Sequence, residues 1–217
     1  IPILGRTMSE YDNVTVINDD IMKVDLRELV DEYSEGMPIS VCANLPYYIT
    51  TPVIMKLLES FPMNEKIPLT SITVMVQLEV ARRLAAKAGS ADYGSISAAI
   101  ALRANTEKLQ DVSAGNFLPV PKVASAVVGI VPHGGIREVY PDAPADDDQC
   151  RIFAENASEL ITLAFGQRRK TLVNSIGSKY PKEKTTAVLE EIGIRPDIRG
   201  EKLSAEDFCR IADYLNK

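Results

Sequence analysis

The chain has 217 residues, 46% hydrophobic and 25% charged, the balance of a folded globular protein; this excludes collagen-like, disordered and disulfide-scaffold classes. A formal net charge of −6 excludes a protein that lives on diffuse affinity for nucleic acid, so any such contact must use local clusters of cations. The single histidine, His133, excludes multi-histidine metal centres. Cys42, Cys150 and Cys209 are widely spaced with no C-x-x-C pair, which argues against structural zinc and fits a reducing, cytoplasmic setting.

Residues 1–11 read as the back half of a helix, with Ile3, Leu4, Met8 and Tyr11 in its apolar positions. Residues 14–17 (Val-Thr-Val-Ile) are a β-branched run and predict a strand, followed by Asp19 and Asp20. Helical spacing returns over 25–34 and is broken by Gly36 and Pro38. A buried-type strand is predicted at 39–43, running into Asn44-Leu45-Pro46-Tyr47. Thr51-Pro52 reads as an N-cap with proline at the first helical position, opening a helix to about residue 60. The uncharged stretch 38–55 holds three prolines and cannot be a membrane-spanning helix; no secretory signal pattern is visible.

A further apolar strand is predicted at 71–76, helices at 79–88 and 95–104, and strands at 108–112 and 125–131 around a proline-rich loop, 116–122. Alternating helices and non-alternating apolar strands predict an α/β chain with a parallel sheet covered on both faces, its last two strands forming an antiparallel edge. Residues 136–149 read as a linker between a domain at 1–135 and an all-helical domain at 150–217. The helical part predicts helices at 151–165, 170–178, 182–192 and 204–215, the last opened by a Ser204–Asp207 capping box.

Ligands of open α/β sheets bind where strands end at their carboxyl side, which points to Asp19-Asp20 and to Asn44–Tyr47. The second set is the sharper signal. An amide, a proline-stiffened backbone and an aromatic face suit a flat base carrying an exocyclic amine: Asn44 and the carbonyl of Leu45 or Pro46 accept its hydrogens, and Tyr47 stacks. Phe117, held between prolines, offers a second stacking face. The cation clusters Arg82-Arg83 with Lys87 and Arg168-Arg169-Lys170 are candidates for RNA phosphates. The glycine pair Gly89 and Gly94 lacks the Lys-Ser/Thr of a phosphate loop, there is no G-x-S-x-G elbow, and His133 reads as a linker residue.

Asn44-Leu-Pro-Tyr-Tyr-Ile-Thr-Thr-Pro52 resembles the catalytic motif of the KsgA-type small-subunit ribosomal RNA adenine dimethyltransferases. Further matches follow in the family's order: Val76-Gln-Leu-Glu-Val-Ala-Arg82, Tyr93-Gly-Ser-Ile-Ser97, Phe117-Leu-Pro-Val-Pro-Lys-Val-Ala-Ser125, Phe165-Gly-Gln-Arg-Arg-Lys-Thr-Leu172 and Arg199-Gly-Glu-Lys-Leu-Ser204. The resemblance implies a Rossmann-like class I methyltransferase sheet with a small all-helical C-terminal domain. It implies S-adenosyl-L-methionine as methyl donor, and as substrate two adjacent adenosines near the 3′ end of small-subunit rRNA, each dimethylated during ribosome biogenesis.

On the same resemblance Asn44, Leu45, Pro46, Tyr47 and Phe117 are catalytic, while Asp20, Ile21 and Asn44 contact the cofactor. The partners are the small ribosomal subunit and its rRNA, with no DNA and no membrane, and the protein is a monomer. The family's glycine-rich cofactor loop and ribose-binding acid lie upstream of Ile1, so the chain is expected to be N-terminally incomplete and inactive by itself. The alternatives are an assembly factor that binds immature small subunits with methylation secondary or absent, a large-subunit rRNA methyltransferase, and a DNA adenine methyltransferase.

Overall fold

The computed structural model describes residues 2–61, 68–167 and 169–216. In chain order the elements are α1 (Pro2–Thr7), α2 (Leu26–Tyr33), β1 (Ile39–Asn44), α3 (Thr50–Ser60), β2 (Leu69–Gln77), α4 (Leu78–Leu84), α5 (Ser95–Ala101), β3 (Ala104–Val112), β4 (Ser125–Pro132), α6 (Ile136–Val139), α7 (Asp147–Gly166), α8 (Leu172–Ser175), α9 (Lys182–Glu191) and α10 (Ala205–Leu215). Short 3-10 turns lie at Ala114–Asn116 and Gly200–Lys202.

The sheet runs in the order β1-β2-β4-β3. β1 and β2 are parallel, in a register that pairs Asn44 with Met75. β4 is antiparallel to both of its neighbours, and its first residue, Ser125, is paired with Gln77 of β2 and Val112 of β3. The expected antiparallel pair is therefore present at one edge of the sheet, with β4 lying between β2 and β3. That order brings the ends of β1, β2 and β3 and the start of β4 to one end of the sheet.

Among the described residues the helices pack on one face of the sheet rather than on both as expected. Val41, Ala43, Ile72, Val74, Val76, Ala126, Val128 and Ile130 pack with Val53, Ile54, Leu57 and Leu58 of α3, Ala81 and Leu84 of α4 and Ile100 of α5. The alternate residues Ser40, Cys42 and Asn44 of β1 are exposed. Strand side chains alternate between faces, and β1 carries its polar and small residues on the side away from those helices. The run 14–17 is likewise not a strand. It is extended without ladder bonds, and Val14, Val16 and Ile17 are 40–46% exposed. A β-branched run prefers extended backbone, but becomes a strand only with a pairing partner.

A second core is all-helical. Phe153, Leu160 and Ile161 of α7, Leu172 of α8, Leu189 of α9 and Phe208 and Ile211 of α10 converge, with the Phe165 ring 6.2 Å from Phe208 and tilted 43° to it. The Ser204–Asp207 capping box forms as read: Asp207 N donates to Ser204 Oγ at 3.1 Å and Ser204 N donates to Asp207 Oδ2 at 2.8 Å. Ile136, Tyr140 and Ala143, from the stretch read as linker, are buried in this core. His133 is buried too, with Nε2 3.1 Å from the Ala101 carbonyl, rather than being a loose linker residue.

The two cores are stitched together by the loop between α4 and α5. Tyr93 is 2% exposed, lies in the helical core and donates its hydroxyl to Leu203 O at 2.9 Å. Gly89 N donates to Glu201 O at 2.8 Å. The turn at Gly200 packs so tightly on α7 that a Cβ there would meet the Ala164 Cβ at 3.0 Å, which is why a glycine stands at this position. Among the described residues no helix is long and apolar enough to cross a membrane, and no cluster of ligating side chains could hold a metal.

Candidate active site

Asn44 ends β1, and the chain leaves the sheet there through Leu45-Pro46 into a turn that becomes α3. Asn44 is exposed, and among the described residues its amide has no hydrogen-bond partner. An amide at a strand end that is not tied into the fold is free to accept and donate to a ligand. The turn itself is tightly held. Pro46 O accepts Ile49 N at 3.1 Å and the Thr50 hydroxyl at 3.2 Å. Both of its lone pairs are thereby used, whereas the Leu45 carbonyl receives no such bond among the described residues. Of the two carbonyls left open by sequence, the geometry leaves Leu45 available.

Thr50 is 2% exposed and opens α3. The helix starts two residues earlier than the Thr51-Pro52 pattern suggests, and its N-cap, Ile49, contributes no side-chain bond. The hydroxyl that would have capped the helix from Thr51 is replaced by one at Thr50 that reaches back to Pro46.

Tyr47 is 44% exposed, and its hydroxyl lies 3.5 Å from Ser125 Oγ. Phe117 follows the 3-10 turn at Ala114–Asn116 in the loop between β3 and β4 and is half-buried. That loop is closed at its root by the Val112–Ser125 pair, and Leu78 N donates to Ala124 O at 3.0 Å. Leu118 and Val120, beside Phe117, are 99% and 64% exposed. The fold thus puts Asn44–Tyr47 and the Phe117 loop at the same end of the sheet, although 70 or more residues separate them in sequence.

Asp20 and Ile21 stand where the extended segment turns towards α2. Asp20 is exposed, and its Oδ1 accepts Met22 N at 3.0 Å. Ile21 packs against the sheet core. Lys56 of α3 donates to Met22 O at 2.9 Å and to Val24 O at 2.6 Å, fastening this segment to the helix that springs from Asn44–Tyr47. An exposed carboxylate, able to accept from an exocyclic amine, beside an apolar side chain is a set that fits a purine ring, the adenine end of S-adenosylmethionine.

The cations fall in two places. Arg82, Arg83 and Lys87 are exposed along and just beyond α4, but Arg83 is already paired, its Nη2 2.6 Å from Glu79 Oε1. Arg169 and Lys170 are exposed after α7, while Arg168 lies outside the described residues. Both clusters border the turn around Gly200: Gly89 N bonds Glu201 O on one side and Leu172 N bonds Ile198 O at 2.7 Å on the other. Sequence reading gave no role to Thr50 or Ser125. Both lie inside matched motifs, but only the fold shows that each is buried against a residue of the Asn44–Tyr47 turn.

The family model of the ribosomal RNA adenine dimethylases matches residues 1–217. This chain belongs to that family. A ribosomal RNA small subunit methyltransferase A of Lachnoclostridium phytofermentans is 43% identical over 223 residues, covering 100% of this chain and 71% of the relative. Its counterpart in Clostridioides difficile is 42% identical over 218 residues, covering 100% and 70%. Among solved structures, a dimethyladenosine transferase from Plasmodium falciparum superposes with a TM-score of 0.69 at 22% identity, over 96% of this chain and 75% of that one. The 23S rRNA methyltransferase ErmE does so with a TM-score of 0.65 at 21% identity, over 100% and 78%. These two likenesses establish the Rossmann-like methyltransferase fold. Membership in the rRNA adenine dimethylases fits a strand end that offers an amide, a free carbonyl and an aromatic face together.

Proposed function

We propose that this chain dimethylates the exocyclic amines of two adjacent adenosines near the 3′ end of small-subunit rRNA, using S-adenosylmethionine, during ribosome biogenesis in the cytoplasm. The observation that carries the reading is the Asn44–Tyr47 turn: a side-chain amide and one carbonyl without partners among the described residues, and an exposed aromatic ring, at the carboxyl end of a parallel strand. Full-length relatives at 42–43% identity carry the small-subunit name, which favours that subunit over the large one.

An adenine amine is a poor nucleophile because its lone pair is delocalised into the ring, so positioning matters more than a strong base. Bound S-adenosylmethionine supplies an activated methyl group on a sulfonium. Asn44 Oδ1 and the Leu45 carbonyl accept the two amine hydrogens, which draws the nitrogen towards tetrahedral geometry and aims its lone pair. Pro46 contributes stiffness rather than its carbonyl, which Thr50 and Ile49 already occupy. Tyr47 and Phe117 clasp the base after it leaves the RNA stack, each face worth about 1–3 kcal/mol. Asp20 and Ile21 hold the adenine of the cofactor. Arg82, Lys87, Arg169 and Lys170, with Arg83 and Arg168, contact phosphates, and the protein acts as a monomer. Residues 1–135 carry the transfer chemistry, 150–217 form the helical domain, and 136–149 join them.

The test is transfer of labelled methyl from S-adenosylmethionine to unmethylated small subunits by the full-length protein, with large subunits as competitor. Label should appear as dimethyladenosine in small-subunit rRNA alone. Binding to small subunits without any transfer would replace this reading with the assembly-factor one.

A further inference from the structure

We propose that Ser125 is a positioning residue for methyl transfer, fixing the ring of Tyr47 and tying it to the loop that carries Phe117. The proposal rests on the reading of Tyr47 and Phe117 as the two stacking faces. Ser125 is 1% exposed, and its Oγ lies 3.5 Å from the hydroxyl of Tyr47, whose ring is 44% exposed. A side chain so accessible would sample several rotamers if its tip were untethered. A ring that stacks on a base uses its faces, so its hydroxyl is free to serve as the tether.

The anchor is well chosen mechanically. Ser125, the first residue of β4, pairs on both sides, with Gln77 and with Val112. Its neighbour Ala124 accepts Leu78 N at 3.0 Å. Ser125 also closes the root of the loop 113–124, so the same residue ends the Phe117 loop and holds the Tyr47 ring. The gap between the two aromatic faces is then set by one rigid point of the sheet, and the base enters a slot rather than assembling one.

The test compares Tyr47→Phe, Ser125→Ala, Ser125→Thr, the double variant Tyr47→Phe/Ser125→Ala and Tyr47→Ala, all in the full-length protein on unmethylated small subunits. Tyr47→Phe and Ser125→Ala should each lower kcat about fivefold to tenfold, the scale of one hydrogen bond. The double variant should be no worse than either single one, because both remove the same link. Ser125→Thr should restore most of the activity, and a thermal melt should show Tyr47→Phe folded like the parent. Additive losses, or wild-type kcat in Tyr47→Phe alongside a damaged Tyr47→Ala, would overturn the proposal and leave the stacking reading intact. Wild-type activity in Tyr47→Ala would remove the stacking reading itself. If Ser125→Ala fails to fold, Tyr47→Phe decides alone, since its hydroxyl sits on an exposed residue.

Discussion

The helical core and the active end of the sheet solve opposite problems. In the helical core Phe208, Leu172, Leu189, Ile176 and Ile211 are wholly buried, and buried hydroxyls are paired at short range: Thr185 donates to Pro181 O at 3.0 Å and Ser175 to Thr171 O at 3.1 Å. At the sheet end, Tyr48, Leu118 and Val120 are largely exposed, and the Asn44 side-chain amide has no partner among the described residues. A packed interior favours satisfied groups and filled space, whereas a site for a flat base must leave donors, acceptors and aromatic faces unspent. The fold concentrates the unspent groups at one end by hanging them on strand termini and fixing only their roots, through Thr50 and Ser125.

Substitutions can break this contrast from either side. Phe208→Ala empties a fully buried ring site and should cost about 3–5 kcal/mol, read as a drop in thermal midpoint, with kcat per folded molecule unchanged at low temperature. Asn44→Ala should do the reverse: a loss of about 100–1000-fold in kcat with an unshifted melt, the scale of one lost transition-state contact. Parent-like turnover in that variant would remove the amide from the mechanism. Tyr47→Ala should weaken binding of the substrate RNA about 10–100-fold in equilibrium titration, the value of one stacked face.

A pH titration sharpens the same contrast at the junction of the two cores. Desolvation, reinforced by Asp207, pushes the Tyr93 hydroxyl up to about 12 from an ordinary 10.0. A group whose value rises on folding contributes stability that is fully present below its unfolded value and is lost as pH rises through the folded one. The helical core should therefore loosen between about pH 10 and 12, monitored by near-ultraviolet circular dichroism, and Tyr93→Phe should flatten that step. The smallest effect is chemical. Burial pushes the Cys209 thiol up to about 12, so a thiol reagent at neutral pH should label exposed Cys42 first and leave Cys209 untouched until unfolding.

Local signals were legible where they are self-contained. The Ser204–Asp207 capping box needs only residues three apart, and it forms as read. Apolar runs such as 71–76 became strands because a partner lay beside them. The similar run at 14–17 did not, because pairing is a property of neighbours rather than of propensity. His133 read as a linker residue because nothing local shows that Ala101 and Asn105 come back to meet it, with Asn105 Nδ2 3.4 Å from its Nδ1.

The sequence by itself determined the chemistry: the residue types of Asn44–Tyr47, the proline-flanked Phe117, the cation clusters and the helical tail are all visible in one dimension. The tertiary structure alone decided which of these stand at the same end of the sheet. Inserting β4 between β2 and β3 brings the loop of Phe117 to the end of the sheet where Asn44 stands and buries Ser125 beside Tyr47. Side-chain chemistry is local and survives in a string of letters, whereas strand order and the spending of hydrogen-bond partners depend on contacts between residues far apart in the chain.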